Sequence, residues 1–171
     1  ISLNGVCSSG CGSFLESFAD HLHMDIKEFA RQAALAEKMP DLGRHCTVIM
    51  NSYVKKVQNR GVGLADLAAA LSVSVVKNAL FSVIQLESAE ELGDHIVAEG
   101  GTFYNDAVLR AFERLTGKEV IRPDIAGLMG AYGMALKAKD QFGEQHVSSL
   151  PGAAEIKAFR METENRTCPG Y

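Results

Sequence analysis

Apolar residues recur at helical spacing in several segments of the chain, and short β-prone runs separate some of them. The first helical run extends from Ser13 to His23 and follows a turn rich in Gly and Ser. Asp25, with Glu28 three residues later, has the spacing of a capping box. This pattern predicts a second helix that runs to about Lys38 and ends before Pro40.

The middle of the chain contains its most apolar stretch. Before it, Cys46-Thr47-Val48-Ile49-Met50 has the composition of a short strand, and Asn51 opens a helix that Gly61 and Gly63 stop. The apolar stretch then runs from Leu64 to Leu86. It is interrupted by the polar residues Asp66, Lys77, Asn78 and Gln85. These interruptions favour a helix buried in a protein core over a membrane span.

The last third of the chain alternates between the two periods. A strand is expected over His95–Glu99, followed by a helix that Thr102 caps and that extends to about Leu115, with Gly117 marking its end. Glu119-Val120-Ile121 has the pattern of another short strand, and Asp124 starts a final helix rich in small residues. This alternation predicts an α/β fold, and the small number of strands predicts part of a larger domain.

The composition fits a folded protein and excludes some partners. The chain has 171 residues, of which 47% are hydrophobic and 22% charged, and its formal net charge is −4. Without a basic excess, we expect neither nucleic acid nor an anionic membrane as a partner. The absence of Trp and the aromatic content of 7% also argue against a stacking surface for single strands. Four Cys are too few for a disulfide-stapled scaffold.

The residues at both termini indicate that the chain is a piece of a longer polypeptide. We also expect this polypeptide to be cytoplasmic. The chain begins at Ile1 without a Met or a basic signal-peptide region, and its tail from Thr167 to Tyr171 has no pattern of a packed element. We expect residues 1–148 to be the C-terminal part of a domain and residues 149–171 to be a tail or the start of a linker. We expect Cys168, in this tail, to belong to a cysteine-containing segment that continues after it.

Three glycine-containing segments are candidates for contact with a nucleotide. Gly100-Gly101 lies between a predicted strand and a helix, and Asn105 in the following turn is placed to bond a base or a ribose; an ordinary βα turn is the alternative. Ser9-Gly10-Cys11-Gly12 at a helix start is a second candidate anion site. The small residues of Ala126–Ala131 favour close helix packing over ligand binding.

The cysteines allow a metal site without requiring one. Cys7 and Cys11 are four residues apart, which is too wide for a CxxC pair. Cys7 precedes a turn and a helix N-terminus, a setting that favours the thiolate, and thiolates suit iron–sulfur, zinc or copper centres. Cys7 and Cys46 supply only two ligands, so a four-ligand cluster would need a symmetric dimer. Buried cysteines without a metal are the alternative.

Four segments, in order along the chain, resemble motifs of one family, the ATP-dependent activators of 2-hydroxyacyl-CoA dehydratases, which includes benzoyl-CoA reductase subunits. Asn4–Glu16 resembles "N-D-K-C-A-A-G-T-G-x-F-L-E", and Cys46–Ser52 resembles "C-x-V-F-x-x-S". Glu99–Asn105 resembles the adenosine motif "G-G-x-x-x-N", and Pro123–Gly133 resembles the closing "P-x-x-x-G-A-x-G-A-A" helix. The segment from Gly100 to Glu113, together with the Arg122-Pro123-Asp124 turn, is most similar to the long members of the family, the CoA-substrate-specific enzyme activases.

The resemblance implies an actin-, sugar-kinase- and heat-shock-ATPase-like fold, related to ribonuclease H. It also implies that ATP or ADP binds with Mg²⁺, and that hydrolysis drives a low-potential electron from a 4Fe–4S cluster to a CoA-ester dehydratase or reductase in anaerobic metabolism. The cluster would be shared with a second activase subunit or a tandem domain. The residues this implies are Cys7 and Cys46 as ligands, Gly100, Gly101 and Asn105 beside adenosine, and Gly10 and Gly12 near the phosphates.

Two departures from the family pattern limit these implications. The family's Thr between two glycines is Cys11 here, which is either a silent change or a thiol near the cluster. The aspartate-containing strands that hold Mg²⁺ and the phosphates are expected before Ile1, so we expect no ATPase activity from the isolated chain. A redox-inert kinase-like or regulatory nucleotide-binding domain of the same superfamily remains the alternative function.

Overall fold

The computed structural model describes residues 11–143 and Gly152. Six α-helices and two strands are defined in this part of the chain: α1 (Cys11–His21), α2 (Ile26–Ala33), α3 (Thr47–Gln58), α4 (Leu64–Lys77), β1 (Ile96–Val97), α5 (Asp106–Thr116), β2 (Val120–Ile121) and α6 (Met129–Phe142). After α4 the chain continues as a wider π-helical winding over Asn78–Val83. Short 3₁₀ turns lie at Ala89–Leu92, Gly101–Tyr104 and Ala126–Leu128.

Helix α4 forms the centre of the core, with α2 and α5 packed against it. Its residues Ala68 and Leu71 are completely buried, as is Phe29 of α2, and Leu15 of α1 is 1% exposed. Burying a large apolar side chain contributes about 1.5–3 kcal/mol, so these contacts hold the helices together. The predicted buried helix in the middle of the chain is confirmed.

The segment Leu64–Val83 is long and apolar enough to cross a membrane by length and composition alone. In the structure 56% of this segment is buried inside the protein. The core helix of a soluble protein passes the same length and composition test, and the burial of this segment matches that description.

The first turn of α2 has the predicted cap, but the helix is shorter than predicted. The Asp25 carboxylate accepts a hydrogen bond of 2.7 Å from the Glu28 backbone N–H. The helix ends at Ala33, not near Lys38. Asp66 Oδ1, in the first turn of α4, accepts hydrogen bonds of 2.8 Å from the backbone N–H groups of Glu37 and Lys38. These groups therefore bond to α4 instead of continuing the helix ladder.

Strands β1 and β2 form a parallel pair with α5 between them in sequence. Ile96 lies opposite Val120, and Val97 opposite Ile121. Ile96, Val120 and Leu109 of α5 share a small buried cluster. Both predicted strands are confirmed in position, and each is shortened to two residues, so the α/β class with few strands is confirmed as well.

The predicted strand over Cys46–Met50 is wrong. Cys46 is the N-cap of α3, and the four residues after it are helical. Met50 and Val54 are buried one turn apart, while Val48 is 82% exposed. Packing one side of a helix against the core therefore outweighs the β preference of a short β-branched run, which by itself does not distinguish a strand from a helix.

The chain divides into two compact units, Ile1–Gly133 and Met134–Tyr171. The site considered below lies in the first unit. In the second unit the structure describes the remainder of α6, Gly143 and Gly152. The predicted domain boundary after Ser148 lies outside the described residues and stays a prediction.

Candidate functional site

A cleft lies between the first turn of α1 and the turn that follows β1. Its volume is about 260 Å³. It is lined by Gly12, Leu15, Glu16, Ile26, Gly101, Thr102, Tyr104 and Asn105. The structure therefore brings together residues of two candidate nucleotide segments. Gly12 comes from Ser9–Gly12, and Gly101 and Asn105 come from the segment that begins at Gly100. Gly10, also predicted for this site, lies outside the described residues.

Gly12 is the point of closest approach between the two walls of the cleft. A Cβ built at this position would lie 2.5 Å from the Thr102 Oγ1 atom. Real Cβ atoms do not tolerate such a distance, so a side chain here would force the Thr102 hydroxyl to move. The close contact explains why glycine occupies this position, and it keeps the backbone of both walls near the cleft.

Gly100 supplies a backbone conformation that other residues rarely adopt. Its φ is 103°. Its N–H donates a hydrogen bond of 2.8 Å to the carbonyl oxygen of Ala126. The turn after β1 is thereby tied to the segment that precedes α6, so two of the three predicted glycine segments meet at this point.

Asn105 is the most informative polar residue of the cleft. It is 4% exposed, and its Oδ1 accepts a hydrogen bond of 2.9 Å from the Ala107 N–H, which caps α5. The predicted cap, Thr102, is wrong, because a 3₁₀ turn precedes the helix. The Asn105 Nδ2 group is buried and has no hydrogen-bond partner in the part of the chain that the structure describes. An unsatisfied buried donor costs about 1–3 kcal/mol, so this amide is available to a ligand.

Tyr104 fixes the third glycine segment beside the cleft. Its hydroxyl donates a hydrogen bond of 3.2 Å to the Asp124 carbonyl and accepts one of 3.0 Å from the Gly127 N–H. A Cβ at Gly127 would lie 2.9 Å from the Tyr104 ring. The predicted close packing of this segment is therefore found at Gly127. A Cβ at Gly130 or Gly133 would meet nothing within 4 Å among the described residues.

Arg122 supports the turn that carries Asn105, and the sequence analysis did not identify it as a site residue. Its guanidinium donates a hydrogen bond of 2.8 Å to the Phe103 carbonyl and pairs with the Asp106 carboxylate at 2.7 Å. It thereby ties the residue after β2 to both sides of Asn105. The only signal in the sequence was its place in the Arg122-Pro123-Asp124 turn.

Cys46 occupies the N-cap of α3 at the protein surface. Its side chain is half-buried and makes no capping hydrogen bond, while its carbonyl accepts hydrogen bonds of 3.1 Å from the Ile49 and Met50 N–H groups. The neighbouring side chains of Val48 and Ile49 are 82% and 51% exposed. The thiol is therefore placed where a second polypeptide can reach it.

The described residues do not by themselves form a metal centre. Among residues 11–143, no group of three or more His, Cys, Asp or Glu side chains could hold a metal ion. Cys7 and Cys168 lie outside the described part of the chain. The assignment of Cys7 and Cys46 as metal ligands therefore stays a prediction.

Cys11 faces the core and not the surface. It is 8% exposed, and burial raises the pKa of its thiol, while a hydrogen bond to the Asn78 side chain opposes part of this increase. The thiolate is the form that binds metals, so a thiol held in its protonated form is a poor ligand. The burial of Cys11 therefore favours a silent replacement of the family's Thr over a thiol that takes part in the cluster.

Cys11 also predicts how stability depends on pH. Because its pKa is raised in the folded state, the folded protein keeps this proton at a pH where the unfolded chain loses it. The contribution is complete below the ordinary pKa of about 9 and is lost as the pH rises through the folded value. The free energy of unfolding should therefore fall as the pH rises above about 9, by at most about 1.4 kcal/mol per pH unit from this group. Urea unfolding of wild type and Cys11→Ser at several pH values measures this decrease. If the free energy of unfolding falls equally with pH in both proteins, the prediction is contradicted.

A larger cavity of the described chain lies elsewhere. It has a volume of about 580 Å³ and extends between α4, the π-helical winding and β1. Its walls are mainly apolar and include Cys11, Val76, Leu80 and Phe103. What distinguishes the smaller cleft is the buried Asn105 Nδ2 donor, which has no hydrogen-bond partner among the described residues.

The proteins similar to this chain include one curated relative and two solved structures. A 2-hydroxyisocaproyl-CoA dehydratase activator of Clostridioides difficile is 30% identical over 142 residues, which are 83% of this chain and 52% of that protein. The solved structure of the activator of the 2-hydroxyisocaproyl-CoA dehydratase from Clostridium difficile, with bound ADPNP, has a TM-score of 0.67 and 28% identity, and covers 87% of this chain and 55% of that one. The structure of component A of (R)-2-hydroxyglutaryl-CoA dehydratase from Acidaminococcus fermentans has a TM-score of 0.68 and 30% identity, and covers 82% of this chain and 52% of that one.

The chain thus spans about half the length of these relatives. Their similarity confirms the predicted actin-, sugar-kinase- and heat-shock-ATPase-like fold and the resemblance to dehydratase activators. The family match extends over residues 1–138 and includes all four motifs named above. Because this match covers most of its 171 residues, the chain belongs to the BadF/BadG/BcrA/BcrD ATPase family.

Proposed function

We propose that this chain is the adenosine-binding and cluster-binding part of an ATP-dependent activator that transfers a low-potential electron to a 2-hydroxyacyl-CoA dehydratase or a related CoA-ester enzyme. The observation that carries the proposal is the cleft in which Gly12 and Gly101 meet the Asn105 amide, which has no hydrogen-bond partner within residues 11–143. A cytoplasmic location stays a prediction.

The cleft residues suit the adenosine end of ATP or ADP. The Asn105 Nδ2 group is a buried donor for an acceptor atom of the base or ribose. Gly100 and Gly101 leave the backbone open to the ligand, and the Tyr104 ring lines the same cleft. The N-terminal end of α1, where Gly12 lies, suits the phosphates because the helix dipole favours negative charge there. We assign Mg²⁺ binding to the residues expected before Ile1.

We assign Cys7 and Cys46 as the two ligands that this chain provides to a 4Fe–4S cluster, with two more from a second activase subunit or a tandem domain. When bound, the cluster supplies a one-electron donor of low potential. The surface position of Cys46 fits a shared site, because a partner's thiolates have access to it. The exposed Val48 and Ile49 side chains would be covered in such an assembly and would shield the site from water.

ATP hydrolysis and electron transfer would be coupled by motion. In a two-lobed fold, a nucleotide held between the lobes changes their angle when it is hydrolysed. This chain would contribute one wall of that nucleotide site and, through α1 and α3, the elements that follow its two cluster cysteines. A change of lobe angle would then alter the exposure of the cluster to the dehydratase or reductase.

Anaerobic reconstitution of the parent polypeptide with iron and sulfide tests this proposal. We expect a brown protein that contains four iron atoms for each pair of activase domains, as a Cys₄-ligated cubane requires. A redox-inert kinase-like or regulatory domain would remain colourless under the same conditions. A colourless product with bound nucleotide would therefore overturn the electron-transfer function and support that alternative.

Replacing Asn105 with Ser separates its two roles. Serine is as good an N-cap as asparagine, so the free energy of unfolding should change by less than about 0.5 kcal/mol. The Nδ2 donor is lost, so ADP should bind the parent polypeptide about 3- to 10-fold more weakly, as expected for one hydrogen bond of 0.5–1.5 kcal/mol. Calorimetric titration with ADP and urea unfolding measure the two effects.

The matched control for this prediction is Asn105→Ala, which removes the cap and the donor together. It should weaken ADP binding to a similar extent and also destabilise the protein by about 1 kcal/mol. If Asn105→Ser binds ADP as wild type does, the amide does not contact the nucleotide.

A further inference from the structure

The loop that carries Cys46 is attached to the central helix by side-chain bonds. Ser74 Oγ, on α4, donates a hydrogen bond of 2.8 Å to the Gly43 carbonyl. The Lys77 ammonium pairs with the Asp41 carboxylate at 2.9 Å. The same carboxylate accepts a hydrogen bond of 2.9 Å from the Gly43 N–H. The loop is therefore held on one side of α4 just before it reaches Cys46.

The Asp41 carboxylate is bound both within the loop and to α4. The hydrogen bond from Lys77 is the main cause that lowers the pKa of the Asp41 carboxyl, and the Gly43 N–H adds to it. Asp41 therefore stays ionised and bound to α4. Its role in this chain is to fix the loop.

Ser74 differs from its neighbour on the same helix. Ser72 and Ser74 are each 1% exposed. The Ser72 hydroxyl donates to the Ala68 carbonyl of its own helix at 2.9 Å, which is the usual arrangement for serine inside a helix. The Ser74 hydroxyl instead leaves its helix and bonds to the loop. A buried hydroxyl is thus used for a long-range contact and not for its own turn.

Ser74 also contacts the chain on the other side of Cys46. Its Oγ lies 3.9 Å from the sulfur of Met50, which is buried in the first turn of α3. The same hydroxyl therefore touches the segment three residues before Cys46 and the helical turn four residues after it. Among the described residues, Ser74 is the one side chain of α4 whose hydrogen bonds reach the chain both before and after Cys46. Lys77 bonds only to the loop before it.

An aromatic stack closes the same region. The His45 and Tyr53 rings are stacked with centroids 4.3 Å apart and an interplanar angle of 21°. Gly43 has a φ of 73°, and a Cβ built there would lie 3.1 Å from the His45 ring. The loop backbone is thus packed between α4 and this stack, which leaves it little freedom to move.

We propose that Ser74 is a positioning residue for Cys46, and this inference rests on the proposed function of Cys46 as a cluster ligand. A ligand held in place before the metal arrives loses less conformational freedom on binding, and residues that fix a ligand affect how firmly the metal is held. Without the Ser74 hydroxyl, the Gly43 carbonyl loses its partner on α4, and the Cys46 thiol becomes free to sample other positions.

The test compares Ser74→Ala with the matched control Ser72→Ala in the full chain without metal. The readout is the rate at which iodoacetamide alkylates Cys46, followed by peptide mass spectrometry under conditions where circular dichroism shows both variants folded. Ser74→Ala should alkylate Cys46 about 3- to 10-fold faster than wild type, a change equal to the loss of one hydrogen bond. Ser72→Ala should stay within about 2-fold of wild type, although both variants lose a buried hydroxyl.

Asp41→Asn serves as a second variant if Ser74→Ala does not fold, because Asp41 is exposed and its substitution leaves the core intact. It weakens the pairing of the loop with Lys77 and should also accelerate Cys46 alkylation. Equal alkylation rates in wild type, Asp41→Asn and any folded Ser74→Ala would overturn the positioning role.

Iron retention separates this inference from the function on which it rests. In the reconstituted parent polypeptide, Ser74→Ala should release iron to a chelator several-fold faster than Ser72→Ala. If wild type takes up no iron, the cluster function fails, whatever the alkylation rates. If wild type holds iron and the two serine variants release it at the same rate, the positioning role fails while the cluster function stands.

Discussion

Replacing Cys7 and Cys46 together with serine should abolish iron binding by the reconstituted parent polypeptide. Fe–S clusters are held by thiolates, and the serine hydroxyl stays protonated near neutral pH and is a much weaker ligand for iron. In a symmetric dimer both subunits carry the substitutions and no ligand thiolate remains. In a tandem arrangement two thiolates remain for four iron sites, which is too few to hold the cluster. The iron and sulfide contents after gel filtration, together with the loss of the brown colour, measure the effect.

Cys11→Ser is the matched control for this experiment. Cys11 is buried, and its raised pKa keeps the thiol protonated, so this variant should retain the iron content of wild type. Retention of a full cluster by the Cys7→Ser, Cys46→Ser variant would remove both residues as ligands. Loss of iron in Cys11→Ser alone would show that the substitution at this family position changes the ligation after all.

Phe29→Ala should cause the largest loss of stability among single substitutions of the core. Phe29 of α2 is completely buried and lies edge-to-face with the Phe18 ring of α1, with centroids 6.3 Å apart. Removing such a side chain costs about 3–5 kcal/mol, because apolar contacts are lost and a cavity remains. Domains of this size have a total stability of about 5–15 kcal/mol, so the variant should be close to unfolding. Urea unfolding at constant pH gives the difference.

Two further variants show whether this effect comes from burial. Phe29→Leu keeps most of the apolar volume and should cost clearly less than Phe29→Ala. Leu35 lies just beyond α2 and is 66% exposed, so Leu35→Ala should change the stability by about 0.5 kcal/mol or less. A loss below 1 kcal/mol for Phe29→Ala would mean that α2 is not an integral part of the core.

Signals carried by a few neighbouring residues were sufficient for several elements of the fold. Asp25 caps α2 as its spacing with Glu28 predicts, and Gly117 ends α5 in the left-handed conformation. The two short strands lie where β-branched residues indicated them. These features depend on contacts within one or two turns, so the local sequence is enough to determine them.

Other elements were misassigned because distant contacts decide them. The β-branched run after Cys46 is helical, since Met50 and Val54 find a buried surface one helical turn apart. Helix α2 ends earlier than predicted, and the backbone N–H groups of Glu37 and Lys38 donate hydrogen bonds to Asp66 of α4. Asn105 rather than Thr102 caps α5 because a 3₁₀ turn comes first. In the first two cases a partner elsewhere in the fold outweighs the local preference.

The sequence by itself determined the family, the α/β class and the residues to be considered for nucleotide and cluster, because the four motifs are contiguous strings of residue types. Only the tertiary structure decided that Gly12 meets Thr102, that the Asn105 amide lacks a partner in the described chain, and that Ser74 holds the loop before Cys46. These contacts join residues far apart in the chain. Whether they form depends on how α4 packs with its neighbours, and no local pattern encodes that packing.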